Sequence, residues 1–233
     1  HKAILNHQNI TICAVGDFNR DNLGENLNRL IKSMPSGKRK DSRSALSEIT
    51  KDEFSFKELK KEQSHIVVGY RGLSFVDKDR YTLEVIQSIL AGQGGRLFFE
   101  LRDKNSLAYS VSPLKMAGVE TGYFGAYIGC SPEKSKKAIQ MIKDEFNKLC
   151  MTRVPDEELI RSQRYLAGRN DIDLQRKSSI CNSILFDVVY GLDSEETFKS
   201  SGRYFEVTSE DVQKLSQKIF SQHSVISVVG PSF

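Results

Sequence analysis

Two side chains seven residues apart, Arg102 and Tyr109, are the ones whose types and spacing could do chemistry in this sequence. They lie in the stretch from Gly94 to Pro113, G-G-R-L-F-F-E-L-R-D-K-N-S-L-A-Y-S-V-S-P. Leu97 and Leu101, four apart, predict a short helix over 96–104, and the residues from Leu107 to Pro113 predict a strand. Arg102 then falls near the carboxyl end of the helix and Tyr109 in the strand that follows. A guanidinium and a phenol delivered by adjoining elements could jointly hold a peptide carbonyl or stabilise a developing oxyanion. The same spacing also suits an Arg that complements a helix terminus and a half-buried strand aromatic.

Other chemistries find less support. The four histidines are His1, His7, His65 and His223, and no two stand four apart, so no helix can present a His pair to one metal. His65 falls in a predicted strand and His223 just ahead of one, which suits structural or surface roles. The four cysteines, Cys13, Cys130, Cys150 and Cys181, are scattered with no C-x-x-C pair and read as free thiols. No G-x-S-x-G elbow is present. The cluster Gly92-x-Gly94-Gly95 follows a helix and lacks Gly-Lys-Ser/Thr, so it reads as a helix-breaking turn rather than a phosphate cradle.

Composition narrows the partners. There are 233 residues, 39% hydrophobic and 27% charged, within the range of globular domains and too apolar for a disordered chain. With 34 basic and 30 acidic side chains the net charge is only +4, a weak field for nucleic acid. The basic groups Lys38-Arg39-Lys40 and Lys134, Lys136 and Lys137 read as solvated surface. Apolar runs such as Ile66-Val67-Val68 are far too short to insert in a membrane.

The elements that must position Arg102 and Tyr109 follow from periodicity. Asn9 to Gly16 (N-I-T-I-C-A-V-G) predicts a strand, and Asn19 caps a helix carrying Leu23, Leu27, Leu30 and Ile31. Residues Ser36 to Ser44 (S-G-K-R-K-D-S-R-S) are polar, basic and aperiodic, and read as a linker. Beyond it come Phe54 and Phe56 alternating with polar residues, a buried strand from His65 to Gly72, and a helix from Asp77 to Leu90. A hairpin turns around Ala117-Gly118, between strands over 107–113 and 121–130. A helix starting at Ser131-Pro132 buries Ile139, Ile142, Phe146 and Leu149, and a long helical region from Asp156 to Tyr190 bends near Asp171–Asp173 and closes at Gly191. A helix over Glu195–Tyr204, a capping box at Thr208-x-x-Asp211 and a last strand over Ser224–Gly230 complete the chain. That strand echoes the first, since both end in Val-Gly. Starting at His1 without a leader, the chain is expected to have been cut from something longer or to have lost a targeting segment.

In order and spacing, these segments resemble the carboxy-terminal, non-catalytic half of the pitrilysin–insulinase–mitochondrial processing peptidase family of zinc metallopeptidases. The matching stretches are Asn9–Asp17, His65–Tyr70, Gly95–Val111, Thr121–Gly125, Ser131–Lys134 and Val228–Pro231. The resemblance implies an α+β fold, an antiparallel sheet with helices packed on one face, two of which close like a clamshell around an unfolded peptide. It implies a partner domain or subunit that holds the zinc through H-x-x-E-H, a motif absent from this chain, so that no cofactor or metal is expected here. It assigns Arg102 and Tyr109 to the substrate side of the chamber. Residues 1–34 become the trailing strand and helix of a preceding catalytic-type domain, 35–50 the linker and 51–233 the substrate-binding domain. An alternative use of the fold is a structural or assembly subunit without peptidase activity. The family often has Gly-Leu-Ala-Tyr where this chain has Ser106-Leu-Ala-Tyr109.

Overall fold

The computed structural model describes residues 4–38 and 46–233. Part of the expected linker, 39–45, and of the basic run at Lys38–Lys40 lies outside the described residues. Five strands form one sheet: β1 (Glu53–Glu58), β2 (Ser64–Arg71), β3 (Ala108–Met116), β4 (Tyr123–Cys130) and β5 (Val225–Gly230). Their order is β1-β5-β2-β4-β3. All neighbours are antiparallel except β1 and β5, the first and last of these strands in sequence, which pair in parallel. The strand patterns explain the layering. In β2, Ser64, Ile66, Val68 and Tyr70 are buried while His65, Val67, Gly69 and Arg71 are not, so one face is apolar and needs cover.

Three helices supply that cover: α2 (Arg80–Leu90), α3 (Ser135–Met151) and α7 (Ser209–Phe220). Ile86 and Ile89 of α2, Ile142, Phe146 and Leu149 of α3, and Val212, Leu215 and Ile219 of α7 meet Ile66, Val68, Phe124, Ile128 and Val228 of the sheet in one core. Phe146 stacks on Phe220 with centroids 4.4 Å apart, and Tyr70 meets both edge-on. The expected α+β architecture, a largely antiparallel sheet with helices on one face, is the fold observed.

The amino end of α7 depends on local chemistry. The Thr208 hydroxyl accepts from the Asp211 amide at 3.1 Å, and the Asp211 carboxylate accepts from the Thr208 amide and hydroxyl at 2.9 and 2.6 Å. This is the capping box predicted from sequence. Those bonds, from the hydroxyl first, hold the Asp211 carboxyl below its ordinary range. A depressed carboxyl contributes stability above its unfolded value, about pH 4, and loses it as pH falls through the folded value. Thr208→Ala is expected to cost about 1 kcal/mol in urea unfolding. Asp211→Asn is expected to flatten the acid limb of the stability–pH curve.

The described residues divide into two compact units, one grouping residues 4–38 with Asn170–Lys199, the other comprising Leu46–Arg169 and Ser200–Phe233. The first unit contains α1 (Arg20–Lys32), whose Asn19 cap accepts from the Asn22 amide at 2.9 Å, and α5 (Lys177–Tyr190). Gly191 adopts φ +85° and lets the Leu192 amide return to the Asp187 carbonyl at 2.8 Å, which ends α5. The break between α4 (Asp156–Asp173) and α5 follows directly on the predicted bend. Residues 9–16, read as a strand, are in no ladder. A β-branched run becomes a strand only where a neighbour takes its N–H and C=O groups, and none of the described strands does so.

Candidate functional site

The site is built from a turn, a helix and the start of an edge strand. A Cβ on Gly95 would lie 2.1 Å from the Ala91 carbonyl oxygen, so the turn after α2 closes only around glycine. Gly92, at φ +73°, accepts from the Gly95 amide at 3.0 Å. The cluster is therefore the helix-breaking turn expected. Arg96 then binds Glu158 of α4 through both Nε and Nη2, at 2.9 and 2.6 Å. That bond is the first cause of a guanidinium pKa above the ordinary value. Leu97 and Leu101 are fully buried and fix which way the helix faces.

Over Phe98–Lys104 this helix is π-helical, a rare form that recurs at functional sites. Arg102 is exposed, with its guanidinium 4.7 Å above the Phe98 ring. The chain leaves the helix through Ser106 at φ +48°, and the Leu107 amide returns to the Leu101 carbonyl at 2.8 Å. A left-handed residue with a Cβ carries a cost of about 1–2 kcal/mol that glycine avoids. Part of the gain is offset by glycine's greater freedom when unfolded. Ser106→Gly is expected to raise stability by about 0.5–1 kcal/mol in urea titration.

Tyr109 owes its position to a β-bulge. Ala108 faces Cys130 and Ser110 faces Gly129, leaving Tyr109 with no residue opposite it. A bulge re-aims the extra side chain away from the alternation of its strand. Tyr109 is accordingly 74% exposed, which overturns the half-buried alternative. Arg102 and Tyr109 line the same open cavity of about 480 Å³, together with Asp103, Ser106, Ser131 and Lys134. Lys134 Nζ donates to the Ser106 carbonyl at 3.0 Å and so braces the turn between the two candidates. Sequence reading placed Lys134 in a solvated run, and nothing in its local pattern connects it to a loop 28 residues earlier.

The remaining candidates for chemistry lie elsewhere. His65 on β2 is exposed, and its Nδ1 is 2.8 Å from the Tyr127 hydroxyl. His223 lies 3.7 Å from Asp52. Among the described residues no three His, Cys, Asp or Glu side chains converge to hold a metal ion, so these donors do not fit a zinc site.

Comparison with known proteins gives a consistent family. A family model described as "Peptidase M16 inactive domain" matches residues 1–166. An uncharacterized zinc protease of Streptomyces coelicolor is 28% identical over 173 residues, 74% of this chain and 38% of the relative. One from Rickettsia felis is 23% identical over 97% of this chain and 55% of the relative. The chain thus spans about half or less of these relatives' length. Among solved structures, a peptidase M16 inactive domain from Pseudomonas fluorescens superposes with TM-score 0.90 at 22% identity, over 98% of this chain and 55% of that one. The match over most of the sequence, on the fold and motifs described above, shows that the chain belongs to the peptidase M16 inactive-domain family.

Proposed function

We propose that this chain is the non-catalytic half of a zinc-dependent endopeptidase, closing over an unfolded peptide and supplying Arg102 and Tyr109 to the active site of a partner domain. The observation that carries this reading is the shared cavity. A fork of N–H donors and a phenolic O–H, both exposed and held by the braced turn, face one open space. Both donors can address the carbonyl oxygen of an extended peptide, where negative charge grows during acyl transfer. The zinc named for the relatives would be held by the partner domain, and this chain's own residues bind and polarise. The amino-terminal segment supports the same reading: Ile10–Val15 is a strand sequence with no ladder, as expected of the trailing strand of a preceding domain.

Complementation tests the proposal. The chain alone is expected to cleave no unfolded peptide, and chelator-sensitive cleavage is expected when it is combined with the H-x-x-E-H half. Cleavage by the purified chain alone, or no gain on combining two halves that bind each other, would overturn it. The second of these results would favour the structural or assembly role.

A further inference from the structure

Two of the four cysteines, far apart in sequence, meet in the fold. Cys181 on α5 donates its thiol to the backbone carbonyl of Cys13 at 3.3 Å across a separation of 168 residues. Both residues are half-buried, so a small oxidant can reach them, and both are free thiols. The other two cysteines have no such partner: the Cys130 thiol is 3.9 Å from the Ser135 hydroxyl, and the Cys150 thiol donates to the Phe146 carbonyl of its own helix.

We infer that Cys13 and Cys181 form an oxidisable dithiol, a modification site at which a hydroperoxide joins the amino-terminal segment to α5 by a reversible disulfide. The step balances with hydrogen peroxide as the oxidant. The sulfur of one cysteine attacks a peroxide oxygen, an S–O bond forms as the O–O bond breaks, and a water leaves with the thiol proton. The sulfur of the second cysteine then attacks the sulfenic sulfur, the S–S bond forms, the S–O bond breaks and a second water leaves. Two thiols lose two electrons and one peroxide becomes two waters. Burial raises the Cys13 thiol above its ordinary range, which lowers its thiolate fraction and leaves the first attack on peroxide to Cys181. The disulfide would tie Ile10–Val15, which has no ladder of its own, to a helix.

Peroxide treatment of the full chain, followed by alkylation and peptide mapping without reductant, tests the inference. The expected product is lighter by two hydrogens, joins the Cys13 and Cys181 peptides, leaves Cys130 and Cys150 alkylated, and reverts with a phosphine reductant. Cys13→Ser is expected to abolish the cross-link and leave a sulfenic acid at Cys181 that dimedone traps. Should that variant fold poorly, mapping of the unaltered chain decides alone. Full alkylation of both thiols after peroxide, a sulfinic acid at either, or a cross-link to Cys150 or between chains would overturn the inference.

Discussion

Tyr109→Phe in the assembled enzyme is expected to lower kcat by about 100-fold while KM changes little, a loss of about 2.7 kcal/mol of transition-state stabilisation. The phenolic hydroxyl is the only group removed, and the ring keeps its place at the bulge. Arg102→Ala is expected to cost about 10²–10³ in kcat, and Arg102→Lys to recover only part of it, because an ammonium cannot reproduce the planar fork. Both residues are exposed and outside the core, so the variants are expected to unfold within about 0.5 kcal/mol of the unaltered chain. Steady-state kinetics beside urea titration separates the two effects. Equal loss in kcat and kcat/KM marks an interaction made only in the transition state. Unchanged kinetics in both variants would leave them as surface residues.

Phe146→Ala is expected to destabilise the fold by about 3–5 kcal/mol, a large share of the 5–15 kcal/mol typical of a domain. Phe146 joins three elements: it belongs to α3, stacks on Phe220 at the end of α7 at 4.4 Å, and touches Tyr70 and Phe124 of the sheet at centroid distances of 5.9 and 6.2 Å. Removing the ring leaves a cavity bounded by three other aromatics, two of them on a sheet that cannot collapse onto it. Phe146→Leu is expected to cost distinctly less, since most of the volume remains. A fall in the urea midpoint with unchanged slope checks both. A loss of under 1 kcal/mol for the alanine variant would mean that the site repacks.

Features governed by neighbours in sequence were legible in advance. Asn19, the Thr208–Asp211 box and Gly191 mark helix ends because the groups they satisfy lie within five residues of them. The amphipathic alternation of β2 and the spacing of Leu97 and Leu101 located buried faces for the same reason. What escaped depends on partners distant in the chain. The strand pattern of Ile10–Val15 describes a residue preference, whereas the ladder depends on a neighbour. The pairing of β3 with β4 creates the bulge that exposes Tyr109, and Lys134 reaches the turn only because the short 3-10 helix Pro132–Lys134 follows β4. The φ of +48° at Ser106 was likewise not legible in advance, although it is a conformation that the glycine usual there in the family adopts without cost. The meeting of Cys13 with Cys181 follows from tertiary placement alone.

The convergence of Arg102 and Tyr109 on one peptide carbonyl is tested most directly by a double-mutant cycle on kcat in the assembled enzyme, using Arg102→Ala, Tyr109→Phe and the double variant. Donors that share one oxygen lose more than their own bond when either is removed, so the double variant is expected to be clearly less impaired than the product of the two single effects. A double variant whose loss equals that product, or one that turns over as fast as the unaltered enzyme, would contradict a shared site.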